Sequence, residues 1–524
     1  MRKQLPALLL AVAGAGVLLA VAAGISTLRA PPCEPTLCFG RGGDSVTLDP
    51  AAVSDGESAM VGVQIYEGLA RLSDDLSGIE PCLATSWEES AGGREWTFHL
   101  RRGVLFHDGT AFTSEAVVFA VRRKMDPAHS YFEKRFAEIE QSLTVLDEVD
   151  AVDAYTVRFR LKHPFTPFLT AIANYVDIVS PAAVMKWGAD FERHPVGTGP
   201  FKFVEWVPDD YILLEKNRSY WGSRPRLGRV LFRCIPDGKE RLLALKTGAI
   251  QAMDGISPED LDAIRRRPDL RVETRAGLNI GYLAMNVEKP PFDRVGVRRA
   301  INHAINKANL VKMAYGGLAV PATGPIPATM WGSAGDLPDY PYDPDQARRL
   351  LVDAGLGSGF ETSLWVMPIP RPYMIQPQRI ADAIKANLAA IGVRAKLHSC
   401  DWQSYLEGIG SGEHEMALIG YSADSPDPDD LLTTNLGSEY AVKPNAGNIS
   451  FFRNPQVDVM LLRARSVLSP EKRAGYYRQV LEIVHEEAPW VPLAYAKQVL
   501  AMSRNLHGIV LTDVVWLRDA WMDE

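Results

Sequence analysis

Apolar and polar positions follow a helical period in parts of the second half of this chain. Apolar residues recur at intervals of three and four over 297–305, which predicts a helix with one buried face. A second helix is predicted to begin at Asp343, whose side chain suits the capping position, with Pro344 in its first turn. Gly355 is predicted to end it. We assign both helices to the scaffold.

Strand-like and helix-like patterns alternate over 361–424. The predicted order is strand 363–367, a helix ending at Gly392, strand 393–397, a helix near Tyr405 and strand 416–421. Strands separated by helices favour a parallel sheet with right-handed crossovers. The fold class predicted for the whole chain is therefore α/β.

Two opposite charges follow two of these strands. Arg371 comes after the carboxyl end of the first strand, and Asp424 comes after the carboxyl end of the last. Ligands of open parallel sheets bind outside the carboxyl ends of the strands, so both side chains are candidates for one crevice. On the pattern alone, the alternative that both are solvated loop charges stays open.

Length and charge narrow the class of protein. A chain of 524 residues exceeds what one hydrophobic core supports, about 250–300 residues, so at least two domains are expected. The hydrophobic share of 47% and charged share of 23% are those of a folded globular chain. A net charge of −8 disfavours a sequence-independent nucleic-acid binder, which needs a basic face.

The amino-terminal segment predicts export. Arg2 and Lys3 precede an uncharged run over 5–25, with a small-residue cleavage site at 20–22, as in a secretory signal. The run is also long enough to cross a bilayer, so an uncleaved anchor is the alternative.

The five cysteines leave their pairing open. An exported protein permits disulfides, and an odd number leaves at least one thiol unpaired within the chain. Cys33 and Cys38 are close enough in sequence to bridge locally, but buried free thiols explain the cysteines equally well.

Motifs of catalysis and cofactor binding are absent from the sequence. The histidines form no H-E-x-x-H pair, and there is no phosphate-binding G-x-x-x-x-G-K loop, no G-x-S-x-G elbow and no C-x-x-C. We predict neither an enzyme nor a cofactor. A hydrolase whose site leaves no local motif is the remaining catalytic alternative.

Several segments, in order, resemble a known family. They are Leu83-Ala-Thr-Ser-Trp87-Glu, Trp96-Thr-Phe-His-Leu-Arg-Arg-Gly103, Phe106-His-Asp108-Gly109, Val117-Val-Phe119, Gly197-Thr-Gly199-Pro-Phe201 and Tyr220-Trp221-Gly222. The series resembles the family 5 extracellular solute-binding proteins, which serve peptide and nickel importers. The resemblance implies a two-lobed periplasmic binding protein of type II, with the extra subdomain of peptide binders and a ligand cleft between the lobes.

Later segments are similar to one branch of that family, the periplasmic dipeptide-binding proteins. They lie at 277–286, 327–332, 365–368, 371–373 and 420–429. The resemblance implies that Arg371 binds the peptide carboxylate and that Asp424 binds the amino group. Tyr373 and Tyr421 then offer rings and hydroxyls, with core packing as the alternative for each. Gly56 falls where lobe one approaches the ligand backbone, although an ordinary turn explains it as well.

The sequence departs from that branch at some positions. Tyr421 stands where dipeptide binders usually carry Trp, and Pro426 replaces a smaller residue, so the side-chain preference is open. Cys33 and Cys38 do not match the position of the family's first bridged cysteine.

We therefore expect the substrate-binding component of an ABC importer in the periplasm, which captures short peptides, dipeptides in particular, by both termini. We expect residues 1–32 to form the signal peptide or the uncleaved anchor, 35–275 with 501–524 to form lobe one, and 276–490 to form lobe two, with hinges near 276–286 and 489–500. The expected partners are a short peptide and the permease subunits in the inner membrane. We expect the protein to be a monomer and to bind no nucleic acid. The alternatives are the same fold with a non-peptide solute (haem, an opine or a chelated metal) and a periplasmic peptidase.

Overall fold

The computed structural model describes residues 34–133, 136, 142–512 and 514–523. The predicted signal segment, its cleavage site and Cys33 lie outside the described residues. Residues 35–524 form one compact unit.

Most of the described helices begin at a capping side chain, and five of them also have proline in the first turn. Asp343, for example, accepts a hydrogen bond from Gln346 N at 2.8 Å, with Pro344 in the first turn. The described helices are α1 (Gly56–Ile65), α2 (Ser114–Met125), α3 (Phe168–Tyr175), α4 (Pro181–Trp187), α5 (Gly238–Thr247), α6 (Leu261–Arg265), α7 (Val295–Ala304), α8 (Lys307–Tyr315), α9 (Pro344–Asp353), α10 (Pro377–Ala389), α11 (Trp402–Gly410), α12 (Pro428–Leu436), α13 (Pro455–Ser466) and α14 (Pro470–Glu487). Short 3₁₀ turns are Ser142–Val145, Gly188–Arg193 and Ser438–Tyr440.

The strands differ in burial between the centre and the edges. The described strands are β1 (Thr36–Arg41), β2 (Ala70–Leu72), β3 (Ile79–Pro81), β4 (Ala84–Ser90), β5 (Glu95–Leu100), β6 (Leu146–Asp153), β7 (Thr156–Leu161), β8 (Phe201–Val207), β9 (Tyr211–Lys216), β10 (Arg229–Cys234), β11 (Ala252–Met253), β12 (Leu270–Ala276), β13 (Asn279–Met285), β14 (Ala319–Pro321), β15 (Phe360–Trp365), β16 (Val393–His398), β17 (Met416–Ser422), β18 (Trp490–Ser503), β19 (Leu506–His507), β20 (Val510–Leu511), β21 (Val515–Trp516) and β22 (Trp521–Met522). β13 is buried along its whole length, which places it at the centre of its sheet.

One long strand joins two halves of a twelve-stranded sheet. The main path runs β16-β15-β17-β13-β18-β11-β1-β10-β9-β8, and β12 and β14 also pair with β18. The first part of β18 pairs with β13 and β14, and its last part pairs with β12 and β11. We call β8–β12 (strands 8, 9, 10, 11 and 12) with β1 the first half-sheet, and β13–β17 (strands 13 to 17) the second half-sheet.

The order predicted for 361–424 is confirmed. β15, α10, β16, α11 and β17 follow one another, and β15 is parallel to both of its neighbours. The helices predicted over 297–305 and from Asp343 are α7 and α9. Elsewhere in the second half-sheet the strands are antiparallel: β13 pairs in this way with both β17 and β18.

A separate four-stranded antiparallel sheet has the order β4-β5-β7-β6. It builds its own apolar core, which includes Phe98, Phe159 and Phe168. Helix α3 packs on this core, so its carboxyl end is held by the small sheet rather than by the twelve-stranded one. The position of α3 matters for the site described below.

The described cysteines form no disulfide. Cys38, Cys82, Cys234 and Cys400 are free thiols, and burial raises the pKa of Cys38 to about 11. Within the described ranges, no helix has the length and apolar character needed to cross a membrane.

Candidate ligand-binding cleft

The loop after β15 reaches the same edge of the sheet as the end of β17. β15 meets only the first residues of β17, at Leu364↔Met416 and Trp365↔Ala417, so β17 continues beyond it. The loop then runs along β17 as far as Gly420, where an added Cβ would lie 2.2 Å from the Tyr373 ring. Arg371 and Asp424 therefore follow neighbouring parallel strands, as expected from the sequence.

Arg371 lies in a tight turn over an aromatic ring. Its backbone exchanges hydrogen bonds with buried Met374, at 3.2 and 2.8 Å. Its guanidinium carbon lies 4.4 Å from the ring centre of Trp402, the first residue of α11. Among the described residues, no carboxylate lies within ion-pairing distance of Arg371. The cation–π contact orients the guanidinium plane and leaves its charge without a counter-ion.

Asp424 is contacted from the other side of the molecule. Its Oδ2 accepts a hydrogen bond from the Tyr175 hydroxyl at 2.8 Å, and its carbonyl oxygen accepts one from Asn174 Nδ2 at 3.0 Å. The side chain keeps exposed surface in the cleft, but many protein atoms surround it. This crowding raises the pKa of Asp424, and the Tyr175 hydrogen bond opposes the rise. In the described part of the chain, no cation pairs with Asp424.

The two tyrosines have different roles. The ring of Tyr373 packs against Gly420, and burial raises the pKa of the Tyr373 hydroxyl to about 12. The backbone carbonyl of Tyr373 accepts a hydrogen bond from the Tyr315 hydroxyl at 2.8 Å. Tyr421 lines the cleft, but its hydroxyl already donates to Asp430 Oδ1 at 2.7 Å. Burial raises the pKa of Tyr421 as well.

Gly56 is the first residue of α1 and lines the opposite wall. Asp55 caps the helix by accepting a hydrogen bond from Ser58 N at 2.8 Å. The Gly56 backbone is not in the left-handed region, and an added Cβ would meet no atom within 4 Å. The turn itself therefore does not require glycine, and open space lies above this Cα.

A cleft of about 1860 Å³ is lined by some of these groups. Residues from 48–223 and 498–519 line one wall, and residues from 372–466 line the other. Pro372, Tyr421, Asp424 and Gly56 are among the lining residues. Arg371 and Tyr373 do not line the cleft. Arg371 lies over the Trp402 ring, and Tyr373 packs on β17.

A buried carboxyl group, which the sequence analysis missed, organises the first wall. Glu67 accepts hydrogen bonds from the Tyr220 hydroxyl at 2.7 Å, the Trp221 indole at 2.8 Å and the Thr198 hydroxyl at 2.8 Å. Burial raises its pKa. The motif segments at 197–201 and 220–222 thus have a shared structural role, which only their common partner reveals.

The acidic run at 424–430 divides into paired and unpaired residues. Asp427 accepts two hydrogen bonds from Arg473, at 2.9 and 2.8 Å, and Arg465 donates to Asp429 at 2.9 and 3.0 Å. Asp430 has no arginine or lysine partner among the described residues, and burial raises its pKa to about 7. Asp424 and Asp430 therefore carry the carboxyl groups of this wall that are not neutralised by a cation.

Two α/β half-sheets that share a crossing strand, with a large cleft lined from both sides, have the architecture of a two-lobed binding protein. Among the described residues, no cluster of three or more histidine, cysteine or acidic side chains is arranged to hold a metal ion. The arrangement of opposite, unpaired charges suits binding of a solute.

The chain belongs to the bacterial extracellular solute-binding proteins, family 5, whose model matches residues 78–442. It is 34% identical to heme-binding protein A of Haemophilus influenzae over 88% of this chain and 87% of the relative. It is 32% identical to the dipeptide-binding protein of Escherichia coli over 93% of this chain and 94% of the relative.

A solved structure shows the same fold. It is an ABC transporter-associated periplasmic binding protein from Helicobacter pylori in complex with the peptide STSA, 35% identical, with a TM-score of 0.80. The alignment covers 93% of this chain and 98% of that one. This protein is thus a substrate-binding protein of an ABC importer and not an enzyme, as the sequence predicted.

Proposed function

We propose that this chain captures short peptides, dipeptides in particular, by binding both of their termini in the cleft. Arg371 binds the carboxylate and Asp424 binds the ammonium group. The observation that carries the proposal is that each of these side chains lacks an oppositely charged partner among the described residues, although they follow adjoining parallel strands.

The chemistry of the two groups fits the two ends of a zwitterion. A guanidinium group is a planar fork of donors that can bind a carboxylate with two parallel hydrogen bonds. An ammonium group has three donors and needs only acceptors, which the free Oδ1 of Asp424 offers. Closing the cleft on a ligand that lacks one of these charges leaves Arg371 or Asp424 unpaired, which costs affinity.

The remaining candidate residues take supporting roles in this proposal. The ring of Tyr421 forms part of the pocket for a peptide side chain. Tyr373 supports the Arg371 turn through its packing on Gly420. The ligand backbone approaches Gly56, above which the structure has open space.

We place the lobe boundaries where the chain passes from one half-sheet to the other. Those points lie between β12 and β13 and within β18, close to the hinges predicted near 276–286 and 489–500. In this proposal the protein is an exported monomer of the periplasm, and the importer's permease subunits in the inner membrane receive the ligand. Protein sequencing of the exported form should find an amino terminus between residues 21 and 32. An amino terminus at Met1 or Arg2 would instead favour the uncleaved membrane anchor.

Ligand length and charge test the two-ended clamp. Two residues of extended chain span about 7 Å, at about 3.3–3.6 Å per residue, so fixed charges at both ends select for length. Titration calorimetry should detect binding of alanyl-alanine. It should show at least about 30-fold weaker binding of N-acetyl-alanyl-alanine, and poor binding of penta-alanine. Equal affinity for the three peptides would contradict the proposal.

A bulkier, non-peptide solute is the second candidate, because the cleft volume of about 1860 Å³ exceeds what a dipeptide fills. A relative that is 34% identical is a heme-binding protein. Denaturing the protein purified from cells and identifying the released ligand by mass spectrometry separates the two candidates. A peptide with free termini supports the first, and a solute without an amino group supports the second.

A further inference from the structure

The end of helix α3 contacts Asp424 across the cleft. Tyr175 and Asn174 belong to the helix held by the small sheet, and Tyr175 packs against that sheet's core. Asp424 follows β17, whose residues pack in the core of the second half-sheet. The hydrogen bonds at 2.8 and 3.0 Å therefore join two parts of the protein that have separate cores.

We propose that Tyr175 is a positioning residue that couples capture of the ligand's ammonium group at Asp424 to closure of the lobes. This inference rests on the proposed function, because it takes Asp424 as the group that binds the amine. Tyr175 itself acts through Asp424.

The geometry at the carboxylate supports a shared site. Tyr175 occupies Oδ2, which leaves Oδ1 available to the ligand. The tyrosine hydroxyl is neutral, so it orients and stabilises the carboxylate without neutralising its charge. A lysine or arginine in its place would compete with the ligand's ammonium group for the same negative charge.

The contact also depends on closure. In this proposal the small sheet and the second half-sheet move apart when the cleft opens, so the Tyr175 bond stabilises the closed form alone. A ligand shifts an equilibrium between two forms only through contacts that differ between them. The Tyr175 hydrogen bond is one such contact, and it is made to the Asp424 carboxylate that binds the ligand.

A neighbouring contact offers a matched control. Thr166 N donates to the Arg465 carbonyl at 2.7 Å, and Thr166 Oγ1 donates to the Val467 carbonyl at 2.9 Å. These bonds also join the α3 side to the second wall, but they end on backbone carbonyls and do not contact Asp424. Thr166→Val removes the hydroxyl bond and leaves Asp424 unchanged.

The test is a double-mutant cycle with alanyl-alanine and N-acetyl-alanyl-alanine as probes. Tyr175→Phe should weaken binding of the free dipeptide by about 10- to 100-fold, the range for a hydrogen bond to a charged group. It should lower the preference for the free over the acetylated form, and it should have no effect in an Asp424→Ala background. Thr166→Val should weaken both probes by the same factor, with or without Asp424.

The outcomes separate this inference from the proposed function. If Asp424→Ala binds the free dipeptide as tightly as the native protein, the two-ended clamp is wrong. If Asp424→Ala weakens binding but Tyr175→Phe does not, or if the two losses simply add, the clamp stands and the coupling is wrong. If no dipeptide binds the native protein, small-angle scattering of the ligand-free protein decides. Tyr175→Phe should then increase the radius of gyration, and an unchanged radius would contradict the coupling.

Discussion

Two pairs of aspartates in one short segment have opposite environments. Asp427 and Asp429 are buried within the cleft wall and pair with Arg473 and Arg465. The side chain of Asp424 instead accepts a hydrogen bond from the Tyr175 hydroxyl, and that of Asp430 accepts one from the Tyr421 hydroxyl. An acidic run can therefore hold the wall together at some positions and present a carboxyl group to a ligand at others. The partner, and not the residue type, decides which.

The largest effect should come from breaking a buried pair. Arg473→Ala leaves the carboxylate of Asp427 buried without a partner, and we expect a loss of about 3–5 kcal/mol in the free energy of unfolding. Urea denaturation measures it. Arg371→Ala is the control, with an expected loss below about 1 kcal/mol, because no carboxylate among the described residues pairs with Arg371. Equal losses would remove the distinction between wall and site.

The Arg371 variant should have its main effect on ligand binding. Arg371→Ala should weaken alanyl-alanine binding by about 2–5 kcal/mol, because the ligand's carboxylate is left unpaired in the closed cleft. Arg371→Lys should restore part of the loss, since lysine has the charge without the planar fork. Calorimetry measures both variants, and full restoration by lysine would argue against two-bonded recognition.

Asp430 predicts a pH dependence that the paired aspartates do not share. Burial, with the charges of Asp424 and Asp429, raises its pKa to about 7, above the value of about 3.9 for an unfolded aspartate. The folded state therefore binds this proton more tightly. The resulting stability is present below about pH 4 and is lost as the pH rises towards 7.

Asp430→Asn should remove this dependence and stabilise the protein at pH 8 by on the order of 1 kcal/mol. The amide oxygen can still accept the hydrogen bond from Tyr421. Thermal unfolding at pH 5 and pH 8 compares the variant with the native protein. An unchanged difference between the two pH values would show that Asp430 is not the responsible group.

The smallest effect concerns the opposite wall. Gly56→Ala should leave the melting temperature unchanged, because the added Cβ meets no protein atom within 4 Å. It should weaken dipeptide binding by about 1 kcal/mol or less if the ligand backbone lies over this Cα. Calorimetry beside a thermal melt checks both parts. Unchanged affinity would remove Gly56 from the site.

The elements of 361–424 were predictable because their signals are local. β15, α10, β16, α11 and β17 each carry a periodic apolar pattern of their own. The start of α9 was equally readable, since Asp343 and Pro344 act within one turn of each other. The strand ends also made Arg371 and Asp424 candidates for one crevice, with solvated loop charges as the alternative on the pattern alone.

The α/β class, these local elements and the two charges that follow the strands could all be predicted from residue patterns. Which charges are paired depends on tertiary packing, because the partners are far apart in the chain. Arg473 reaches Asp427 across 46 positions and Tyr175 reaches Asp424 across 249. The structural role of Glu67 could not be predicted for the same reason. Thr198, Tyr220 and Trp221 donate hydrogen bonds to it only in the folded protein. The period of apolar residues along a helix or strand predicts which of its faces is buried. The hydrogen-bond partner of a side chain depends instead on how elements that are distant in the chain pack together.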